Sequence, residues 1–145
     1  MQDIIIGSDH RGFDLKTKIK DYLREKKIFV IDVGCNDGTK SVDYPVIAKE
    51  VADCVVGARH FCGILICGSG IGVSIAANRH KGVRAALCHT VDAARSARQH
   101  NDCNILCIGA DGADIENVKK VINAFTGTKF SGEEKYKQRI AQLDK

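Results

Sequence analysis

Proline is almost missing from this chain. Pro45 is the only one in 145 residues, and there is no tryptophan and a single methionine. With 44% hydrophobic residues, such a chain is neither a disordered tail nor a proline-rich linker. Apolar runs are short, and none approaches the roughly 20 residues that span a bilayer, so no membrane association is expected. No Cys-x-x-Cys pair occurs and no paired Cys/His spacing fits zinc, which argues against a metal site and against a dithiol redox motif. Charge is balanced: 22 basic against 18 acidic residues leave +4, too little and too dispersed for a nucleic-acid footprint. No basic stretch precedes the first apolar run, Ile4-Ile5-Ile6, so no secretory signal is expected. A soluble, cytoplasmic, single-domain protein over residues 1–145 follows as the expectation.

Seven cysteines are present, at 35, 54, 62, 67, 88, 103 and 107. The odd number and the apolar runs around Cys88 and Cys107 read as small buried hydrophobes in a reducing compartment. Short apolar runs alternate with longer amphipathic segments. Ile4–Ile6, Phe29–Val33, Ile64–Ile66, Val83–Leu87 and Ile105–Ile108 are rich in Ile and Val, as strands covered on both faces are. Helices are predicted over 13–26, with Leu15, Ile19, Tyr22 and Leu23 on one face, and over 45–56, where Pro45 suits a first helical position. Further helices are predicted over 71–79, 91–100 and 115–125. Alternation of this kind implies an α/β fold, a Rossmann-like three-layer sandwich with a five-stranded parallel sheet. A last helix, 132–143, has no strand to serve and is expected to dock on a partner subunit.

Residues 64–78 are the most informative segment: Ile64-Leu65-Ile66, then Cys67-Gly68-Ser69-Gly70-Ile71-Gly72, then a helix. The glycines allow close approach of a ligand and positive φ. Backbone N–H groups there suit an oxyanion or phosphate. The spacing is GxGxG rather than GxGxxG, and Cys88-His89 stands where a ribose-binding acid would end the next strand, so a dinucleotide site is not indicated. No Gly-Lys-Ser/Thr follows, so this is not a Walker loop. Cys67 ends a strand at the carboxyl edge of the sheet, where open α/β folds bind ligands, and thiolates are stabilised at such strand-to-helix turns. The other six cysteines read as inert and buried.

The first strand delivers Asp9, His10 and Arg11 to the same edge. Asp9 fits a helix N-cap as well as a functional acid. Residues 98–104, Arg-Gln-His-Asn-Asp-Cys-Asn, close a helix just before the fifth strand. That places His100 and Asn101 near the amino edge, far from Cys67 in the same chain. His100 reads equally as a helix-end residue, and Asn101 as a turn residue.

Together these stretches, with Asp43-Tyr44-Pro45, Arg84-Ala85 and Lys135-Tyr136-Lys137-Gln138-Arg139, resemble the type B ribose-5-phosphate isomerases, within the wider family that includes galactose-6-phosphate isomerase subunits. The resemblance runs along nearly the whole chain. It implies a sugar phosphate as substrate, no cofactor and no metal, and a homodimer or dimer of dimers whose active sites are shared between subunits. It implies that Cys67 moves a proton between C1 and C2, that His100 assists ring opening, and that Asp9 and Asn101 hold the sugar. Gly68, Ser69, Gly70, Ile71 and Gly72 would cradle the enediolate oxygen, while His10, Lys135 and Arg139 would receive the phosphate. Two positions depart from the family pattern. Asp111 stands where an arginine is usual, so either it points away or Arg11, Lys135 and Arg139 carry the phosphate. Lys135 offers a point charge in place of an arginine fork.

Isomerisation of an aldose to a ketose needs one base, donors for the enediolate oxygen and a group that opens the ring, which the resemblance supplies. The expected activity is interconversion of ribose 5-phosphate and ribulose 5-phosphate, in the non-oxidative pentose phosphate branch. The alternatives are a six-carbon sugar phosphate such as allose or galactose 6-phosphate, a nucleotide-binding regulatory module, and a thiol redox protein.

Overall fold

In a computed structural model, described here for residues 2–58 and 60–143, five parallel strands form one sheet in the order β2-β1-β3-β5-β4. The strands are β1 (Asp3–Ser8), β2 (Val30–Asp32), β3 (Phe61–Cys67), β4 (Ala85–Leu87) and β5 (Ile105–Gly109). The helices are α1 (Phe13–Glu25), α2 (Tyr44–Gly57), α3 (Ile71–Ala77), α4 (Val91–Asn101), α5 (Ile115–Gly127) and α6 (Glu134–Leu143). One short 3-10 turn, His10–Gly12, leads into α1.

Strand alternation builds the three layers. Ile4, Ile6, Ile64, Ile66, Leu106 and Ile108 face α1, α4 and α5. Ile5, Leu65, Cys67, Ile105 and Cys107 face α2 and α3. The continuous apolar runs of β1, β3 and β5 are therefore explained by two buried faces. The edge strands differ from the sequence expectation. They are only three residues long, Phe29 lies outside β2 with 59% of its surface exposed, and Val33 and Val83 also fall outside strands. Short edges of this kind limit unwanted strand pairing.

Helix starts follow their caps. Thr90 Oγ1 accepts from the N–H of Ala93 at 3.2 Å, and the Asp114 carboxylate accepts from Glu116 and Asn117 at 3.1 and 3.3 Å. The helix α2 starts at Tyr44, so Pro45 is its second residue rather than the first helical position read from the sequence, and it still lies in the first turn. On α1 the apolar face holds Leu15, Ile19, Tyr22 and Leu23, and with them Lys16, which is buried. The terminal helix starts at Glu134 rather than 132 and buries none of its residues. No helix among the described residues is long and apolar enough to cross a membrane. Of the six cysteines read as buried, Cys54 is only half-buried, because it lies on the flank of α2.

Candidate active site

Because all five strands run the same way, the ends of β1, β3 and β5 open onto one edge. Backbone bonds knit these ends together. The Asp9 N–H donates to Ile66 O at 3.2 Å, Ala110 N–H to Cys67 O at 2.9 Å, and Asp111 N–H to Gly68 O at 2.9 Å. Gly70 sits at φ +76°, and a Cβ there would lie 2.8 Å from the backbone of Ile108 and Gly109. Glycine is thus required both by conformation and by contact.

This tight turn aims the Gly70 N–H at the Cys67 sulfur, 3.2 Å away. Cys67 keeps 5% of its surface in the single chain and packs in the α2/α3 layer. Burial pushes Cys62 and Cys103 up to about 12 and Cys88 up to about 11, and drives Cys107 upward as well. A cavity of about 560 Å³ opens beside Gly68 and Ser69, lined also by Cys88, His89, Ile108 and Asp111. Cys88 and Ile108 belong to the α1/α4/α5 layer, so this cavity lies across the sheet from the Cys67 side chain.

Asp9 is 5% exposed and one of its oxygens accepts the Gly12 N–H at 3.0 Å. The N-cap reading of Asp9 therefore holds, and the cap also fixes the acid beside the end of β3. His10 Nδ1 accepts the Val42 N–H at 3.3 Å, which leaves Nε2 as the ring nitrogen free to face a ligand. Tyr44 was not among the predicted site residues. Its ring lies against Gly72, where a Cβ would come within 2.8 Å, and 42% of the residue is exposed. The signal was present in Asp43-Tyr44-Pro45, but a tyrosine opening a helix reads from sequence as packing.

The remaining predicted residues gather elsewhere. Asn104 O accepts the Gly63 N–H at 2.8 Å near the start of β3, which puts the end of α4 at the amino edge. From Gly63 to Cys67 the strand rises about 13 Å. At the amino edge the His100 ring stacks on Tyr136, with centroids 4.6 Å apart. Lys135 Nζ and the Arg139 guanidinium lie 4.7 and 5.8 Å from that same ring. Asn101 is exposed, and its carbonyl accepts from Arg84 Nε at 2.9 Å. One chain thus joins Asp9, His10, Cys67 and Gly68–Gly72 at one edge, and His100, Asn101, Lys135 and Arg139 at the other.

The pattern defines a class: an α/β protein whose carboxyl edge presents a cysteine held within a glycine turn. The chain belongs to the ribose/galactose isomerase family, whose pattern it matches over residues 4–143. It is 41% identical over 143 residues to ribose-5-phosphate isomerase B of Escherichia coli, covering 99% of this chain and 95% of that one. It is 37% identical over 132 residues to D-erythrulose-4-phosphate isomerase of Pectobacterium atrosepticum, covering 91% and 87%. A ribose 5-phosphate isomerase structure from Thermotoga maritima superposes with a TM-score of 0.94 at 43% identity, covering 99% of this chain and 97% of that one. The Rossmann-like fold read from the sequence agrees with that structure, and the chain is a sugar phosphate isomerase.

Proposed function

We propose that this isomerase interconverts ribose 5-phosphate and ribulose 5-phosphate, with Cys67 as the base. The observation that carries the reading is the Cys67 sulfur at the end of β3, met by the Gly70 N–H in a chain of this family. The Escherichia coli relative acts on ribose 5-phosphate by name, and it spans nearly the same length.

In the open-chain aldose the Cys67 thiolate removes the proton from C2. The electron pair forms a C1–C2 double bond, and negative charge moves to O1. Donors held ready for that oxygen are worth most where charge develops. Within the turn the Ser69 and Gly72 N–H groups would serve, since the Gly70 N–H already donates to Cys67 Sγ and the Ile71 N–H to Ser69 Oγ. The first amides of a helix have no acceptor within it, and Gly72 is the second residue of α3. The sulfur then returns its proton to C1, while the hydroxyl proton on O2 passes to O1 and O2 becomes the ketose carbonyl. Electrons and protons stay within the substrate. Asp9 and Asn101 hold sugar hydroxyls, His10 receives the phosphate, and His100 opens the furanose ring.

His100, Asn101, Lys135 and Arg139 reach the site from a second copy of the chain. Their separation from Cys67 along β3 supports this, since one chain cannot bring the two groups together. The exposed Ile71 and Ile75 of α3, beside the glycine turn, give a second copy an apolar surface to cover. Seven cysteines without a disulfide among them fit a reducing compartment, the cytoplasm.

The test is a comparison of purified protein on ribose 5-phosphate, erythrulose 4-phosphate, and allose and galactose 6-phosphates under one set of conditions. The largest kcat/KM is expected on ribose 5-phosphate. A larger value on a four- or six-carbon substrate would replace the pentose reading.

A further inference from the structure

Asp111 is an acid at an edge that should receive an anion, and its partner makes sense of it. Arg11 Nη2 donates to Asp111 Oδ2 at 2.6 Å. The two side chains are 58% and 57% exposed, and pairs so exposed add little to stability. Stability therefore does not explain the pairing. The guanidinium lies against the first glycine of the turn: a Cβ on Gly68 would come 2.7 Å from Arg11 Cζ and 2.8 Å from Nε. From the other side, the Asp111 N–H is bonded to Gly68 O. Arg11 from the β1 end, Gly68 from the β3 end and Asp111 from the β5 end thus form one strap across the edge.

We propose that Arg11 is a phosphate-binding residue of this site and that Asp111 is the positioning residue that holds it there. The reading rests on the sugar-phosphate function proposed above. A guanidinium carries five N–H donors in a fixed fork, and the contact with Asp111 engages only one of its nitrogens. Arg11 directly follows His10 in the chain and its side chain is 58% exposed, which leaves the remaining donors accessible to a ligand at this edge. A dianionic phosphate fits a fork of this kind by paired, charge-assisted bonds. The carboxylate that would otherwise repel phosphate is then half of a neutral pair, and its role is to keep a flexible arginine over Gly68. Lys135 and Arg139, at the opposite edge, are not available to the phosphate from within the same chain.

The experiment is a double-substitution cycle read by calorimetry with inorganic phosphate and by steady-state kinetics with ribose 5-phosphate. Arg11→Ala is expected to weaken phosphate binding about tenfold, as loss of a charge-assisted bond does, and to raise KM by more than it lowers kcat. Arg11→Lys should recover part of the binding, which also covers the case of a poorly folding alanine variant. Asp111→Asn should weaken phosphate about threefold when Arg11 is present and have no effect in the Arg11→Ala background, the signature of action through Arg11. Unchanged phosphate affinity in Arg11→Ala, or tighter binding in Asp111→Asn in both backgrounds, would overturn the proposal. Phosphate binding that depends on Arg11 in a protein inactive on ribose 5-phosphate would leave this inference standing and overturn the pentose reading instead.

Discussion

Lys16, with 1% of its side chain exposed, donates to Asp32 Oδ1 at 2.7 Å, to Cys35 O at 2.7 Å, and to Gly34 O. All three ammonium donors are used, so the buried charge is fully paired. The pair ties α1 to the end of β2 and to the loop that follows, and Val42 of that loop reaches His10. Removing one partner of a buried pair costs about 3–5 kcal/mol. Lys16→Met should therefore lower stability by about 3 kcal/mol, somewhat softened because Lys20 still reaches Asp32 Oδ2 at 2.6 Å. Urea unfolding of the variant beside the native chain measures this.

The same pair sets an acid limit. Burial raises the Asp32 carboxyl, but hydrogen bonds from Lys16 and Lys20 outweigh it and hold the group below 3.8. A depressed folded value means that the ionised carboxylate contributes stability at all pH above 3.8, and loses it as pH falls through the folded value. The stability difference between the native chain and Asp32→Asn should be flat near neutrality and shrink only in strong acid. A difference that already declines between pH 7 and 5 would contradict it.

Two glycines with similar φ separate strain from collision. Gly112, at φ +69°, has open space around a would-be Cβ, whereas Gly70, at φ +76°, has the β5 backbone 2.8 Å away. Gly112→Ala should cost about 1 kcal/mol, the left-handed penalty alone. Gly70→Ala should cost more and should also lower kcat, because the turn that meets Cys67 must move. Thermal unfolding and turnover of both variants check this.

Thiol labelling should resolve the cysteines. Cys54, half-buried on α2, is expected to react with iodoacetamide at a rate that ribose 5-phosphate does not change. Cys67 should react in the free enzyme and be protected by the substrate. Cys62 and Cys107, with 1% and 0% exposure and raised thiols, should stay unmodified until the protein unfolds. Peptide mapping by mass spectrometry reads all four at once.

Shared sites predict complementation. Cys67→Ala and His100→Asn chains, each inactive or nearly so alone, should regain activity when unfolded together and refolded as a mixture. Mixed assemblies then hold some sites with both residues intact. No recovery over the two variants refolded separately would contradict the sharing.

The sheet was legible because β1, β3 and β5 are buried on both faces, so their Ile and Val runs are unbroken. The edge strands are shorter than the apolar runs that announce them: Phe29 and Val33 only bracket β2, each with one backbone bond to β1, and the Val83 N–H turns back onto His80 O. Cys67 stood out because a thiol at the start of a glycine turn has a geometric reason to be there. Lys16 was invisible: an amphipathic pattern assigns a lysine to solvent, and its burial is tolerable only because Asp32 and the backbone carbonyls of Gly34 and Cys35 converge on it. The Arg11–Asp111 pair was equally hidden, since the two residues are 100 positions apart and meet only when the ends of β1 and β5 flank Gly68.

The most direct measurement is the isomerisation rate of Cys67→Ala on ribose 5-phosphate, taken with its thermal unfolding curve. A folded variant with a rate reduced by at least a thousandfold is the predicted result, since about 10²–10⁴ is typical for losing a general base and the sulfur serves in both half-steps. A folded variant that turns over at a rate near that of the native chain would remove Cys67 from the chemistry.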